Sequence, residues 1–430
     1  MKLRQLSNHE LSLLATHTIH SISSYYGIFS VETFSKAILR TVKKHPFLNS
    51  RILFSDKTFY LDEIDGFEPR ITLIEETGTK EAHHAKFLEI SKTSCDVNKE
   101  LCFFSIICNY SEENRQYFSI IASISHTIAD ARSIIDFHHQ IIQEYHDLIK
   151  GIELKPSKLS PKDPVATIVK RLYPDCKPSP FISDELLTNK LVLCPIQPDK
   201  INSTENTVEY FFHEFSKEQT QKILTSCRKN NVSITSAIAS AQINAFKSIT
   251  DINIYKFVIH HILVDLRPMI GNELSNNDMV MAIYPEVSAY DFTSDDFWKT
   301  ALEVQSNIHR AVNSDIVLSK TLMDHMNPFL FATPSLLKKN SSPKGNITFT
   351  SYTSNCGIVK LEYEFNELLE LKNFEVLLSK VAESAGGMTV YTVNDCLCLN
   401  MSYTYPKYSK EKMNKYFENF LTLVSENCLI

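Results

Sequence analysis

The stretch YFSIIASISHTIAD, residues 117–130, decides the fold of this chain. Its first eight residues are apolar or small and have high strand propensity, as in a strand covered on both faces. From Ala131 to Lys150 apolar residues recur at helical spacing. His126 therefore lies on the loop between a buried strand and an amphipathic helix, and Asp130 falls at or near the helix N-cap. In α/β proteins such loops often carry the functional residues.

Composition and charge narrow the class of protein. The chain has 430 residues, 43% of them hydrophobic and 22% charged, which is enough for two hydrophobic cores, so we expect two lobes. A net charge of -6 and the lack of a Lys/Arg-rich block argue against a nucleic-acid partner. Ten cysteines without paired spacing indicate reduced thiols in a cytoplasmic protein. No signal-peptide core, transmembrane stretch, phosphate-binding glycine loop or metal-ligand motif is evident.

Local patterns divide the chain into three parts. Residues 1–150 are predicted to form a first lobe, whose sheet is completed by the strand that runs into His126. Residues 151–200 contain eight of the sixteen prolines and are predicted to be a crossover, since prolines exclude long helices and central strands. Residues 201–430 are predicted to form a second lobe of similar architecture.

The pattern His-x-x-x-Asp occurs twice. The copy that ends at Asp265 contains His260 and His261 within a strand-like stretch, where we expect both histidines to be structural. At the other copy, a neutral imidazole at His126 could take a proton from a hydroxyl or amine and return it to a leaving group. Taken alone, this stretch is explained equally well by a structural histidine at a strand end, whose hydrogen bonds are satisfied, with Asp130 only capping the helix.

Several further segments, taken together and in order, carry a resemblance. The sequence resembles the His-x-x-x-Asp acyltransferase superfamily, which includes alcohol acetyltransferases, polyketide-associated acyltransferases and condensation domains of nonribosomal peptide synthetases. This resemblance implies an α/β (α+β) fold of two chloramphenicol-acetyltransferase-like lobes, each a mixed sheet with flanking helices, and an active-site tunnel at their interface. The matching segments are His45-Pro46-Phe47-Leu48, Ser125-His126-Thr127-Ile128-Ala129-Asp130, Val264-Asp265-Leu266-Arg267-Pro268, Thr353-Ser354-Asn355-Cys356-Gly357 and Leu399-Asn400-Met401-Ser402-Tyr403.

The resemblance also implies roles for individual residues. His126 is expected to be the catalytic base, and Asp130 a structural partner of Arg267. Ser354 or Asn355 could stabilise an oxyanion, although a turn before Gly357 accounts for them equally well. The implied co-substrate is acyl-CoA, or an acyl-phosphopantetheine on a carrier protein, with no permanently bound cofactor. The acceptor would be a small-molecule or lipid alcohol or amine, and the protein a monomer.

Departures from the family patterns suggest a branch. Ser125 and Ala131 stand where condensation domains usually have a histidine and a glycine, and the Asp-Phe-Gly-Trp-Gly motif of the plant enzymes is absent. Both differences favour the alcohol acetyltransferase or polyketide-associated branch. A carrier-dependent enzyme and a non-catalytic scaffold of the same fold remain the alternative interpretations.

Overall fold

A computed structural model describes residues 1–13, 18–109, 115–152, 157–179, 199, 207–275, 277–322, 351–361, 368–378 and 386–429. The strands in these ranges are β1 Lys2–Gln5, β2 Thr18–Ile28, β3 Ser50–Ser55, β4 Thr58–Glu63, β5 Ile71–Glu75, β6 Cys102–Cys108, β7 Arg115–Ser125, β8 Thr207–Glu214, β9 Phe257–Asp265, β10 Ile283–Asp291, β11 Ser351–Ile358, β12 Leu369–Leu378, β13 Gly386–Val393 and β14 Cys396–Tyr405. The helices are α1 Asn8–Ser12, α2 Val31–Lys44, α3 Lys80–Ile90, α4 Ala131–Ile149, α5 Val165–Leu172, α6 Lys217–Lys229, α7 Ile234–Ala245, α8 Arg267–Ile270, α9 Phe297–Val312, α10 Ile316–Thr321 and α11 Lys410–Cys428.

Two large mixed sheets organise the described residues. The first has five strands in the order β12-β2-β7-β6-β5, and the second has six in the order β10-β9-β11-β13-β14-β8. Most neighbours are antiparallel, but β5 runs parallel to β6, and β11 runs parallel to both β9 and β13. A small sheet of order β1-β4-β3 accompanies the first. The predicted α/β fold of two lobes with mixed sheets and flanking helices is confirmed.

The helices cover these sheets with their apolar faces. In the first lobe α2 packs on α4, where the rings of Phe34 and Tyr145 stack with centroids 3.6 Å apart. In the second lobe α7 packs between α9 and α11. Its small residues allow this close approach, because every residue from Ser236 to Ala245 is buried. One hydrophobic core includes residues from both lobes, so the lobes share a packed interface.

Two strands differ from the sequence-based prediction. β2 was not predicted, and it pairs with β7 along its whole length. The prediction that β7 completes the first sheet is wrong, because β7 lies between β2 and β6 and the edge beyond β2 is formed by β12. Since β12 comes from the segment assigned to the second lobe, the predicted boundary at residue 201 does not hold for this strand. Much of the predicted crossover, including residues 153–156 and 180–198, lies outside the described residues.

A layer of polar side chains runs through the first sheet. Three serines of β2 meet histidines or serines from elsewhere in the chain, with the Oγ atoms of Ser21 and Ser23 lying 2.8 and 2.7 Å from the two ring nitrogens of His138. His20 meets Ser123 at 2.8 Å in the same way. The hydrogen bonds between these buried side chains explain why the strand tolerates polar residues on a buried face. Among the described helices none is both long and apolar enough to cross a membrane.

Candidate active site

The loop after β7 forms a tight corner at the interface of the two lobes. The N–H of Ser125 donates to the carbonyl of Leu101 at 2.8 Å, which keeps the end of β7 in the sheet. The N–H of Ile128 then donates back to the carbonyl of Ser125 at 3.1 Å and closes a turn. β7 ends at Ser125, so His126 is the first residue after this strand, as the sequence predicts. Helix α4 then begins at Ala131.

One hydrogen bond fixes the tautomer of the neutral His126 ring. Its Nδ1 lies 2.7 Å from the carbonyl oxygen of Ala129, which can only accept, so Nδ1 carries the hydrogen. In the neutral ring the basic lone pair is then on Nε2. The side chain is 7% exposed, and this burial lowers the pKa of His126 below its ordinary value, although the Ala129 carbonyl and the charge of Asp130 act in the opposite direction. At neutral pH the imidazole is therefore neutral, and its Nε2 is able to accept a proton.

Asp130 is fully buried and accepts hydrogen bonds on both carboxylate oxygens. Its Oδ1 caps α4 by accepting from the N–H of Ser133 at 2.9 Å, and its Oδ2 accepts from the N–H of Ala282 at 2.9 Å. Arg267 donates to both oxygens, from Nη1 at 3.0 Å and from Nη2 at 3.2 Å. Burial alone would raise the pKa of Asp130, but the charge and hydrogen bonds of Arg267, with those of Ser133 and Ala282, hold it below its ordinary value.

The structure thus brings Asp130 and Arg267 together as an ion pair between the lobes. Arg267 is 5% exposed and also donates to the Ser133 hydroxyl at 2.9 Å and to the Val280 carbonyl at 3.2 Å. Ser133 was not predicted, although its place three residues after an N-cap is the position that a capping aspartate binds. Since Asp130 belongs to the first lobe and Arg267 and Ala282 to the second, this cluster fixes the His126 loop against the second lobe.

The two oxyanion candidates have different surroundings. The amide of Asn355 donates to the hydroxyl of Thr235 at 2.8 Å, and its Oδ1 accepts from the N–H of Gly357 at 2.9 Å. Both ends of this side chain are used in closing the turn at the end of β11, which favours the turn interpretation for Asn355. Ser354 instead hydrogen-bonds the thiol of Cys356, whose pKa burial raises to about 12 and which also responds to the charge of Asp130.

A charge pair on the first turns of α4 was missed by the sequence analysis. The guanidinium of Arg132 lies 4.0 Å from the point where a Cβ on Gly357 would be, and 3.7 Å from the carboxylate of Asp136. Burial raises the pKa of Asp136 to about 6, although the charges of Arg132 and Arg267 oppose that rise. The spacing of four residues on a helix was the available signal. A positive charge thus lies beside the end of β11, next to the corner.

The second His-x-x-x-Asp copy has a structural environment, at least at its first histidine. His260 is fully buried in β9, with Nδ1 2.7 Å from the hydroxyl of Ser351 and Nε2 2.9 Å from that of Thr353. Burial lowers the pKa of His260 and of His261 to about 3. Within the described part of the chain no cluster of His, Cys, Asp or Glu side chains is arranged to hold a metal ion.

Comparisons with known proteins identify the fold. No protein-family model and no curated protein matches the sequence. Solved structures do match, among them polyketide synthase associated protein 5 from Mycobacterium tuberculosis, at 13% identity and a TM-score of 0.70 over 99% of each chain. TRI3 trichothecene 15-O-acetyltransferase from Fusarium sporotrichioides is 12% identical with a TM-score of 0.71, covering 99% of this chain and 95% of that chain.

The first condensation domain of the CDA synthetase is 11% identical, with a TM-score of 0.69 over 100% of this chain and 96% of that chain. This chain therefore has the two-lobed fold of condensation-domain-like acyltransferases, and the resemblance noted in the sequence is confirmed at the level of fold.

Proposed function

We propose that this chain is an acyltransferase that moves an acyl group from acyl-CoA to the hydroxyl or amine of a small-molecule or lipid acceptor. His126 is the general base, and no acyl-enzyme forms. The observation that carries this proposal is the buried, neutral His126 at the lobe interface, with Nδ1 held by the Ala129 carbonyl and the basic lone pair on Nε2. The shared fold supports the reaction class, and the geometry of the corner supports the roles proposed for the residues.

In the proposed reaction the acceptor attacks the thioester directly. Nε2 of His126 takes the proton of the acceptor hydroxyl as its oxygen bonds to the carbonyl carbon of the thioester. The resulting tetrahedral oxyanion collapses, the carbon–sulfur bond breaks, and the imidazolium returns the proton to the departing thiolate. Such a base contributes roughly 10²–10⁴ in rate, while positioning and oxyanion stabilisation supply the rest.

The other residues of the corner support this base without exchanging its proton. Asp130 is not a relay to His126, because its two oxygens already accept from Arg267, Ser133 and Ala282. It holds the loop and the start of α4 in position. Of the two residues that could stabilise the oxyanion, Ser354 remains the candidate, because the amide of Asn355 is bound to Thr235.

A thiol-release assay tests the proposal directly. Purified wild type, His126→Ala and His309→Ala are compared against a panel of acyl-CoAs and alcohols, with far-ultraviolet circular dichroism as the check of folding. His309 is an exposed histidine on α9 and serves as the matched control. We expect His126→Ala to lose about 10²–10⁴ in rate and His309→Ala to keep wild-type activity. Undiminished release by folded His126→Ala would overturn the assignment.

A further inference from the structure

One edge of the first sheet is open to solvent. The sheet has the order β12-β2-β7-β6-β5, so β5 forms the edge opposite β12. β5 runs parallel to β6, and within the described ranges no strand pairs with its other side. Thr72, Leu73 and Glu75 of this strand are exposed, Leu73 to 44%. The outer side of β5 is therefore accessible to another strand.

The ladder with β6 determines which backbone groups of β5 face solvent. The N–H of Phe104 donates to the carbonyl of Arg70 at 2.9 Å, and the N–H of Glu76 donates to the carbonyl of Cys108 at 3.0 Å. Because backbone groups alternate in direction along a strand, the even-numbered residues of β5 bond to β6. The N–H and C=O groups that point outward are those of Ile71, Leu73 and Glu75. Such a row of unpaired backbone groups is a template for pairing with a further strand.

The residues of β5 do not protect this edge in the usual ways. Soluble proteins commonly protect edge strands with lysines, prolines or bulges. The strand Ile-Thr-Leu-Ile-Glu contains neither lysine nor proline, and its register with β6 is regular. Its central residue, Leu73, is apolar and exposed. The strand is thus suited to pairing, with charges only towards its ends.

Those charges favour a second copy of this chain as the partner. Arg70 precedes β5, whereas Glu75 and Glu76 lie at its end. If two copies pair antiparallel about Leu73, Arg70 lies opposite Glu76 of the partner subunit, and opposite charges across strands stabilise the pair. Among the described residues Arg70 donates from Nη2 alone, to Glu100 at 2.9 Å, and its side chain is 53% exposed, so further donors are available. A parallel pairing would instead bring the two acidic ends together.

The same arrangement uses the outward backbone groups. Since both the N–H and the C=O of Leu73 point outward, Leu73 lies opposite its own copy as a hydrogen-bonded pair. Ile71 then lies opposite Glu75 of the partner subunit, and the reverse pair follows from the two-fold axis. Each of these pairs exchanges two hydrogen bonds, which gives roughly six across the edge. The backbone directions and the charges therefore agree on one register.

We propose that β5 pairs with β5 of a second copy of this chain, antiparallel and centred on Leu73, to form a two-fold symmetric dimer. This inference goes beyond the proposed function and does not depend on it. It differs from the monomer that the resemblance implies. The open edge lies opposite β12, so the dimer leaves the contacts between the lobes in place. A pair of short strands buries little surface, so the association is weak and reversible.

A charge exchange at the two-fold axis tests this pairing. Leu73→Glu and Leu73→Lys each place like charges opposite one another, whereas an equimolar mixture of the two variants places opposite charges there. Sedimentation velocity from about 1 µM to about 300 µM protein measures the association, and circular dichroism checks folding. Leu302→Glu is the matched control, because Leu302 is a 48% exposed leucine on α9 in the second lobe.

We expect wild type to become dimeric as its concentration rises. Leu73→Glu and Leu73→Lys should each weaken the dimer at least about tenfold, and their mixture should recover it as a heterodimer. Leu302→Glu should associate as wild type does. The proposal is overturned if wild type stays monomeric throughout, if the Leu73 variants dimerise as tightly as wild type, if the mixture does not recover association, or if Leu302→Glu weakens the dimer equally.

Amide hydrogen exchange, followed by nuclear magnetic resonance, checks the register residue by residue. The N–H of Ile74 donates to β6 and should be protected at every protein concentration. The N–H of Leu73 should become protected only at concentrations where the dimer forms. Exchange at Leu73 that does not depend on concentration would contradict the pairing.

Discussion

Breaking the ion pair between Asp130 and Arg267 should be the most damaging single change near the corner. In Arg267→Ala a fully buried carboxylate loses two hydrogen bonds and its counter-charge but keeps those from Ser133 and Ala282. Removing one partner of a buried pair costs about 3–5 kcal/mol, so we expect a loss of about 3 kcal/mol in the free energy of unfolding.

Asp130→Ala should cost more, because two effects add. It leaves the guanidinium of Arg267 buried without its main partner, and it removes the N-cap of α4, worth about 1 kcal/mol. The double variant should lose about as much as Asp130→Ala alone, so the coupling energy should equal the loss in Arg267→Ala, about 3 kcal/mol. Asp265 is a matched control, since it also contacts Arg267, at 3.1 Å, but is 41% exposed; Asp265→Ala should cost less than about 1 kcal/mol.

Urea unfolding at pH 7, followed by circular dichroism and tryptophan fluorescence, measures all four variants. Coincident transitions by the two probes are required, because a two-lobed chain can unfold in steps. Single-variant losses that add to within about 0.5 kcal/mol in the double variant would refute a direct coupling between the two side chains.

Three further predictions concern stability and the oxyanion candidates. Acidification from pH 7.5 to 5.5 should destabilise the protein. Burial lowers the pKa of six histidines to about 3 or 4 in the folded chain. As the pH falls through about 6.5, these histidines therefore take up protons in the unfolded chain but not in the folded chain, and the unfolded chain is favoured. Each of these histidines lowers the free energy of unfolding by at most about 1.4 kcal/mol over this pH range. Urea midpoints that do not change between the two pH values would contradict the predicted destabilisation. The histidines are His20, His45, His83, His138, His260 and His261. Gly387→Ala should lower the melting temperature, since its Cβ would lie 2.1 Å from Cζ of Tyr352 and this side chain would have to shift. An unchanged melting temperature would contradict this prediction. If Ser354 stabilises the oxyanion, Ser354→Ala should lower kcat with KM unchanged while Asn355→Ala mainly lowers stability; the reverse pattern would reassign the roles.

The sequence predicts best those elements that are specified by their own residues. The start of α4 at Ala131 and its N-cap at Asp130 follow from local patterns, and both were predicted. The buried strand that leads to His126 is equally local, because a continuous apolar run needs no partner to be recognised. These elements place His126 at a strand end, and the structure places it there as well.

Elements that depend on distant partners were missed. β2 contains serines and histidines on buried faces, and only a partner such as His138, more than a hundred residues away, makes that arrangement favourable. The position of β12 cannot be read from its own residues, because joining the first sheet depends on the register with β2. For the same reason the sequence could not separate Ser354 from Asn355, since their difference lies in contacts with Cys356 and Thr235.

The position of His126 is set locally, but the geometry around it requires both halves of the chain. The hydrogen bond that sets the tautomer of His126 spans three residues, whereas the start of α4 is fixed by Arg267 and Ala282 from the second half. The first sheet is likewise completed by β12, which pairs with β2. A fragment of residues 1–150 would therefore lack an edge strand and leave the carboxylate of Asp130 without its counter-charge. Because neither half can build these contacts alone, the geometry around His126 depends on the folding of both lobes.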